Sequence, residues 1–101
     1  MKKFMFIYTA DISAENRFDE MTPDAIEAMT KSWFDWEAKA GSAILDFGGP
    51  TLAVGGTAPG IGGYSFMQAE AYEDLIPLIE VHPHKMMGGR IDVYEVIPPP
   101  V

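Results

Sequence analysis

Alternation of apolar and polar positions divides this chain into short extended stretches around two helical segments. Lys3 to Thr9 reads as a first strand, with Phe4, Phe6 and Tyr8 on one side and Met5 and Ile7 on the other. Both sides are apolar, as in a strand covered on two faces. Asp11 to Met21 is polar and irregular and reads as a loop. A long helix follows, because Ile26, Met29, Trp33, Trp36 and Ala40 fall on one stripe at helical spacing. Thr22 suits its N-cap, Pro23 its first position, and Asp24 and Glu27 its positive end. Lys39 in the last turn and Gly41 just beyond mark its stop.

Ala43 to Phe47 predicts a second strand, ended by Gly48-Gly49-Pro50. Thr51 to Val54 is read as extended again, and the glycine-rich run from Gly55 to Gly62 as a mobile loop. Tyr64 to Ala69 predicts the third strand, with Tyr64 and Phe66 on one side and Met67 on the other. A second helix is expected from Tyr72 to about Val81, with Leu75, Ile76 and Ile79 inward. Pro77 either kinks it or divides it into two segments, since an interior proline costs about 3 kcal/mol. Pro83 stops it near His82. Ile91 to Ile97 is the last strand, and Pro98-Pro99-Pro100 an extended tail.

The order strand, helix, strand, strand, helix, strand predicts an α+β fold of ferredoxin-like βαββαβ type. It has a four-stranded antiparallel sheet with both helices on one face, in one domain over residues 1–101. The residues turned away from the helices in strands 1, 3 and 4 are still largely apolar. A bare apolar sheet face is unusual on a monomer, so a homodimer packed sheet to sheet, a dimeric α+β barrel, is expected.

Composition narrows the function classes. At 101 residues, 48% of them hydrophobic and 22% charged, the chain has ordinary globular make-up and one core. Seven basic residues against 15 acidic give a net charge of −8, and the basic ones are scattered, which argues against nucleic acid as a partner. With no cysteine, disulfides, thiolate zinc sites and a cysteine nucleophile are excluded. The apolar run after Met1-Lys2-Lys3 is too short for a signal peptide, and no stretch spans a membrane. The cytoplasm is the expected compartment.

Several segments together resemble the YCII-related family of small dimeric α+β-barrel proteins. These are the first strand Lys3-Phe4-Met5-Phe6-Ile7-Tyr8, Met21-Thr22-Pro23 opening a Trp-bearing helix, Gly49-Pro50, and Gly62-Gly63-Tyr64. The most telling is His82-Pro83-His84 followed by Gly88-Gly89. The resemblance covers nearly the whole chain and implies a pocket between sheet and helices. It also implies a histidine–aspartate pair suggestive of enzymatic function, and one relative is linked to a dehydrochlorination. In the family's pattern the histidine lies early in helix 1 and the aspartate precedes the proline after helix 2. Ala25 and His82 stand at those positions here.

His82 and His84 are the only histidines. Imidazole titrates near neutrality, so either can move a proton at a pocket, or the pair can instead cap the end of helix 2. Asp46, flanked by Leu45 and Phe47, is either a supporting carboxylate that orients a histidine or an exposed strand-edge residue. Tyr8, Trp33 and Tyr64, and with them Tyr94, are expected to line the ligand site. Two histidines and a carboxylate match a facial-triad inventory, but no third ligand is defined, so no metal is expected. The glycine-rich run lacks the Gly-Lys-Ser/Thr ending of a phosphate loop. Ser32 and Ser65 have no evident base.

Two function classes remain open. The first is a small cofactor-free enzyme doing acid–base chemistry, elimination or isomerisation, on a small organic molecule, with His82, His84 and Asp46 catalytic. The second is a non-catalytic small-ligand-binding or regulatory dimer. A purely structural interaction module is a third possibility.

Overall fold

The structure is a computed structural model and describes residues 1–9, 21–56 and 61–99. The expected loop from Asp11 lies outside these residues up to position 20, as do the centre of the glycine-rich run and the end of the proline tail.

Strand β1 (Lys2–Thr9) leads to helix α1 (Pro23–Ala40) and strand β2 (Ile44–Pro50). Strand β3 (Gly63–Ala69), a short 3-10 turn at Tyr72–Leu75, helix α2 (Ile76–Glu80), helix α3 (Pro83–Met86) and strand β4 (Arg90–Val96) follow. Among the described residues the sheet has four strands in the order β2-β3-β1-β4, with every neighbouring pair antiparallel. This is the expected ferredoxin-like βαββαβ arrangement. No described helix is long and apolar enough to cross a membrane.

Alternation decides which residues meet the helices. Phe4, Phe6 and Tyr8 of β1 and Ser65, Met67 and Ala69 of β3 are buried on the helix side. They pack with Trp36 and Ala40 of α1, and with Leu75 and Ile79. Trp36 also ties α1 to α2, its Nε1–H donating to the Leu78 carbonyl at 2.9 Å. Helix α1 begins as its sequence dictates, with Thr22 Oγ1 accepting from the Ala25 N–H at 3.1 Å. It ends at Gly41, whose φ of 55° few side chains tolerate.

Pro77 resolves into the two-segment option. The chain makes a 3-10 turn and restarts as α2 with the proline in its first turn, where no N–H is needed. Two expectations need correction. Thr51–Val54 is irregular, because the Thr51 N–H donates to the Gly62 carbonyl at 3.2 Å and closes a loop instead of continuing a strand. Pro83 does not merely end a helix: it opens α3, a four-residue helix too short to leave a periodic signal.

The outer face carries Met5 and Ile7 of β1, Tyr64 and Phe66 of β3, and Tyr94 and Val96 of β4. Across the central row Phe66 pairs with Met5, and Met5 with Tyr94. Tyr94 is 56% exposed and Lys3 Nζ lies 4.8 Å from the Phe66 ring centroid. This face is apolar at its centre, as the alternation predicts.

Candidate functional site

Where β1 ends, α3 brings both histidines under the sheet. His82 is fully buried and His84 nearly so. The short α3 makes this possible: His82 is its N-cap in extended conformation, so its side chain turns back onto the new helix. His82 Nδ1 accepts from the His84 backbone N–H at 3.1 Å. Its other ring nitrogen, Nε2, lies 3.0 Å from the Tyr8 hydroxyl. Tyr8 donates to Ser65 Oγ at 2.7 Å, and Ser65 donates to the Phe47 carbonyl at 2.6 Å. One polar thread therefore crosses the core from α3 through β1 and β3 to β2.

Aromatic rings wall this thread. The His82 ring centroid lies 4.2 Å from that of Trp36, 4.7 Å from that of Trp33 and 4.8 Å from that of Tyr8. Trp33 in turn meets Tyr8 edge-on at 5.3 Å and Phe47 at 5.9 Å. In such a setting charge is expensive. Burial, and then the neighbouring His84, lower the pKa of His82 from 6.5 to about 3. Burial also holds the Tyr8 phenol well above its ordinary range, with the Ser65 hydrogen bond pulling weakly the other way. Both groups are neutral across the physiological range.

His84 is placed differently. Its Nε2 lies 2.8 Å from the Thr9 carbonyl, which can only accept, so Nε2 carries a hydrogen. The charge of this ring is consequently decided at Nδ1. The chain around it is shaped to fit: the Gly89 N–H donates to the His84 carbonyl at 2.9 Å, and the ring occupies the space that a β-carbon at Gly89 would need.

Of the residues the sequence singles out, the structure brings His82, His84, Tyr8 and Trp33 together. It leaves two apart. Asp46 is exposed on the edge strand, pairs in register with outward-facing Phe66, and accepts from the Gly48 N–H at 2.9 Å. The expected Asp46–histidine contact is absent among the described contacts because a bulge at this point breaks the alternation of β2. Gly48 adopts a φ of 73° there, and a β-carbon would collide with the Tyr64 carbonyl. Tyr64 likewise stands on the outer face, 5.8 Å from Phe66, because it alternates with inward Ser65. The expectation that it lines a site beside Tyr8 needs that correction.

Ser65 is the residue that sequence reasoning undervalued. A serine on the buried side of a strand, between glycine and methionine, is itself a signal that a polar partner waits inside. No group of three or more His, Asp or Glu among the described residues is arranged to hold a metal ion.

No protein family and no curated protein matches the chain. A solved structure with a similar fold is 5-chloro-2-hydroxyhydroquinone dehydrochlorinase (TftG) from Burkholderia phenoliruptrix AC1100, in complex with 2,5-dihydroxybenzoquinone. The two share 21% identity over 93% of this chain and 91% of that one, with a TM-score of 0.55. That likeness shows the fold, an α+β arrangement common to both.

Proposed function

We propose that this chain is a YCII-related enzyme of 101 residues in one domain, working in the cytoplasm as a homodimer. It carries out acid–base chemistry, elimination or isomerisation, on a compact hydroxylated ring without a cofactor. In this reading His84 is the acid–base residue. The Thr9 carbonyl fixes its Nε2–H, and Nδ1 takes the proton as a leaving group departs with its electron pair. Tyr8 and Trp33 form the aromatic wall of the site. Asp46 and Tyr64 belong to the outer sheet face, where a second copy would cover Met5, Phe66 and Tyr94.

The observation that carries the reading is the 2.8 Å bond from His84 to the Thr9 carbonyl, which assigns one nitrogen to anchoring and leaves the charge to the other. It gains support from the fold shared with a dehydrochlorinase crystallised with a dihydroxyquinone. One observation favours the non-catalytic alternative, a small-ligand-binding dimer. Among the described residues no buried side-chain nitrogen or oxygen lacks a hydrogen-bond partner, as in a core built for stability.

The test is chloride release from 5-chloro-2-hydroxyhydroquinone together with titration of 2,5-dihydroxybenzoquinone. Catalysis predicts release that His84→Gln lowers by roughly a hundredfold or more. Binding without release supports the ligand-binding alternative, and neither binding nor release sinks both.

A further inference from the structure

We propose that His82 is a positioning residue: a permanently neutral N-cap of α3 that holds His84 in place, its tautomer dictated by the hydrogen-bonded thread ending at Phe47. This deepens the reading of His84 as the working group and rests on it only for its functional consequence.

The direction of every bond in the thread follows from its two ends. At one end a backbone N–H, that of His84, points at His82 Nδ1, so Nδ1 must be bare. The neutral ring then carries its hydrogen on Nε2 and donates it to the Tyr8 oxygen. At the other end a backbone carbonyl, that of Phe47, can only accept, so Ser65 must donate to it. Ser65 is thereby left to accept from Tyr8. Both ends demand the same direction, and the four groups satisfy one another without a conflict.

That direction excludes a proton relay. A relay needs a terminal group able to take up or release a proton, and this thread stops at a peptide carbonyl on one side and a peptide N–H on the other. It works as a clamp, tying the bulged segment of β2 to the first turn of α3. Protonating His82 at Nδ1 would set two hydrogens against each other at the cap. Among the described residues the groups facing the ring are Tyr8 from β1, Trp33 and Trp36 from α1 and His84 from α3, and none of these is a carboxylate that would offset a charge. With His84 read as the acid–base residue, the two histidines divide the labour, one orienting and the other exchanging protons. An aspartate can also cap a helix before proline, but near neutral pH it does so as an anion, which this enclosure would penalise. Imidazole in this tautomer does so while neutral, which suits the aromatic enclosure.

The experiment combines a wild-type measurement with two variants. In uniformly 15N-labelled wild-type protein, a scalar coupling across the hydrogen bond is expected between the His84 amide nitrogen and His82 Nδ1. His82→Phe keeps a ring but removes the acceptor, and deuterium exchange at the His84 amide is expected to rise roughly tenfold. His82→Asn restores a cap acceptor and is expected to return exchange to within about threefold of wild type. A missing coupling overturns the proposal even if neither variant folds. So does a phenylalanine variant as protected as wild type, or an asparagine variant no better protected than the phenylalanine one. None of these readouts involves a ligand, so failure here leaves the reading of His84 intact, and failure of that reading leaves this result intact.

Discussion

Gly89 makes room for His84: a β-carbon added at Gly89 would collide with the imidazole ring at Nε2 and both adjacent carbons. Because the same nitrogen donates to the Thr9 carbonyl, Gly89→Ala must push the ring off its anchor or open the turn before β4. We expect a loss of about 1–3 kcal/mol in urea denaturation, as for other overpacked sites. Gly49→Ala meets nothing and is expected to stay within about 0.5 kcal/mol. Equal effects at the two glycines would contradict this fit.

Tyr8 sits between a donor and an acceptor, so removing its hydroxyl strands both neighbours. Tyr8→Phe leaves the buried His82 Nε2–H without an acceptor, at a cost of about 1–3 kcal/mol. Ser65→Ala strands the Tyr8 hydroxyl in the same way. Because the losses share one thread, the double variant is expected to lose less than the sum, by roughly 0.5–3 kcal/mol in a double-mutant cycle. Strict additivity would mean that the thread does not act as a unit.

The buried neutral state of His82 makes stability depend on acidity. Its pKa is 6.5 when free and about 3 in the folded protein, so below 6.5 the unfolded chain takes up a proton that the folded one refuses. The contribution is complete above pH 6.5 and is lost as pH falls toward 3, at about 1.4 kcal/mol per pH unit. Denaturation of wild type and His82→Asn at about pH 7.5 and about pH 5 isolates it. The difference between them is expected to shift by about 2 kcal/mol against wild type at the lower pH. An unchanged difference would remove His82 as the source.

Phe66 lies at the centre of the outer sheet face, paired with Met5 and set edge-on beside Tyr64. If a second copy covers that face, Phe66→Glu introduces a charge where two sheets meet. Sedimentation velocity is expected to find wild type dimeric and the variant's dimer dissociation constant raised roughly thirtyfold or more, about 2 kcal/mol. A wild-type monomer at high concentration would exclude the sheet-to-sheet dimer.

How far the sequence carried the reading depended on where periodicity survives. The alternation in Phe4-Met5-Phe6-Ile7-Tyr8 and the stripe from Ile26 to Ala40 are long enough to reveal elements, faces and order. Helix α3 is four residues, so its only mark was Pro83, which serves a helix start as well as a stop. At the site, His82 and His84 were visible because histidine is rare here and Pro83 holds them together. For Asp46 the sequence left a supporting carboxylate and an exposed strand-edge residue both open, and the structure takes the second, because a register shift between Ile44 and Asp46 turns it outward and no periodicity announces such a bulge. Tyr64 could have been excluded. Its strand mates Ser65 and Met67 already defined the opposite face, and the buried serine pointed to a partner inside.

The most direct test of unequal histidines is a ring-nitrogen NMR titration of both imidazoles from about pH 8 to about pH 5. We predict that His82 keeps one protonated ring nitrogen, Nε2, and one bare one, Nδ1, at every point of the series. A His82 ring that gains a second proton in that range, or that carries its hydrogen on Nδ1, would contradict the account.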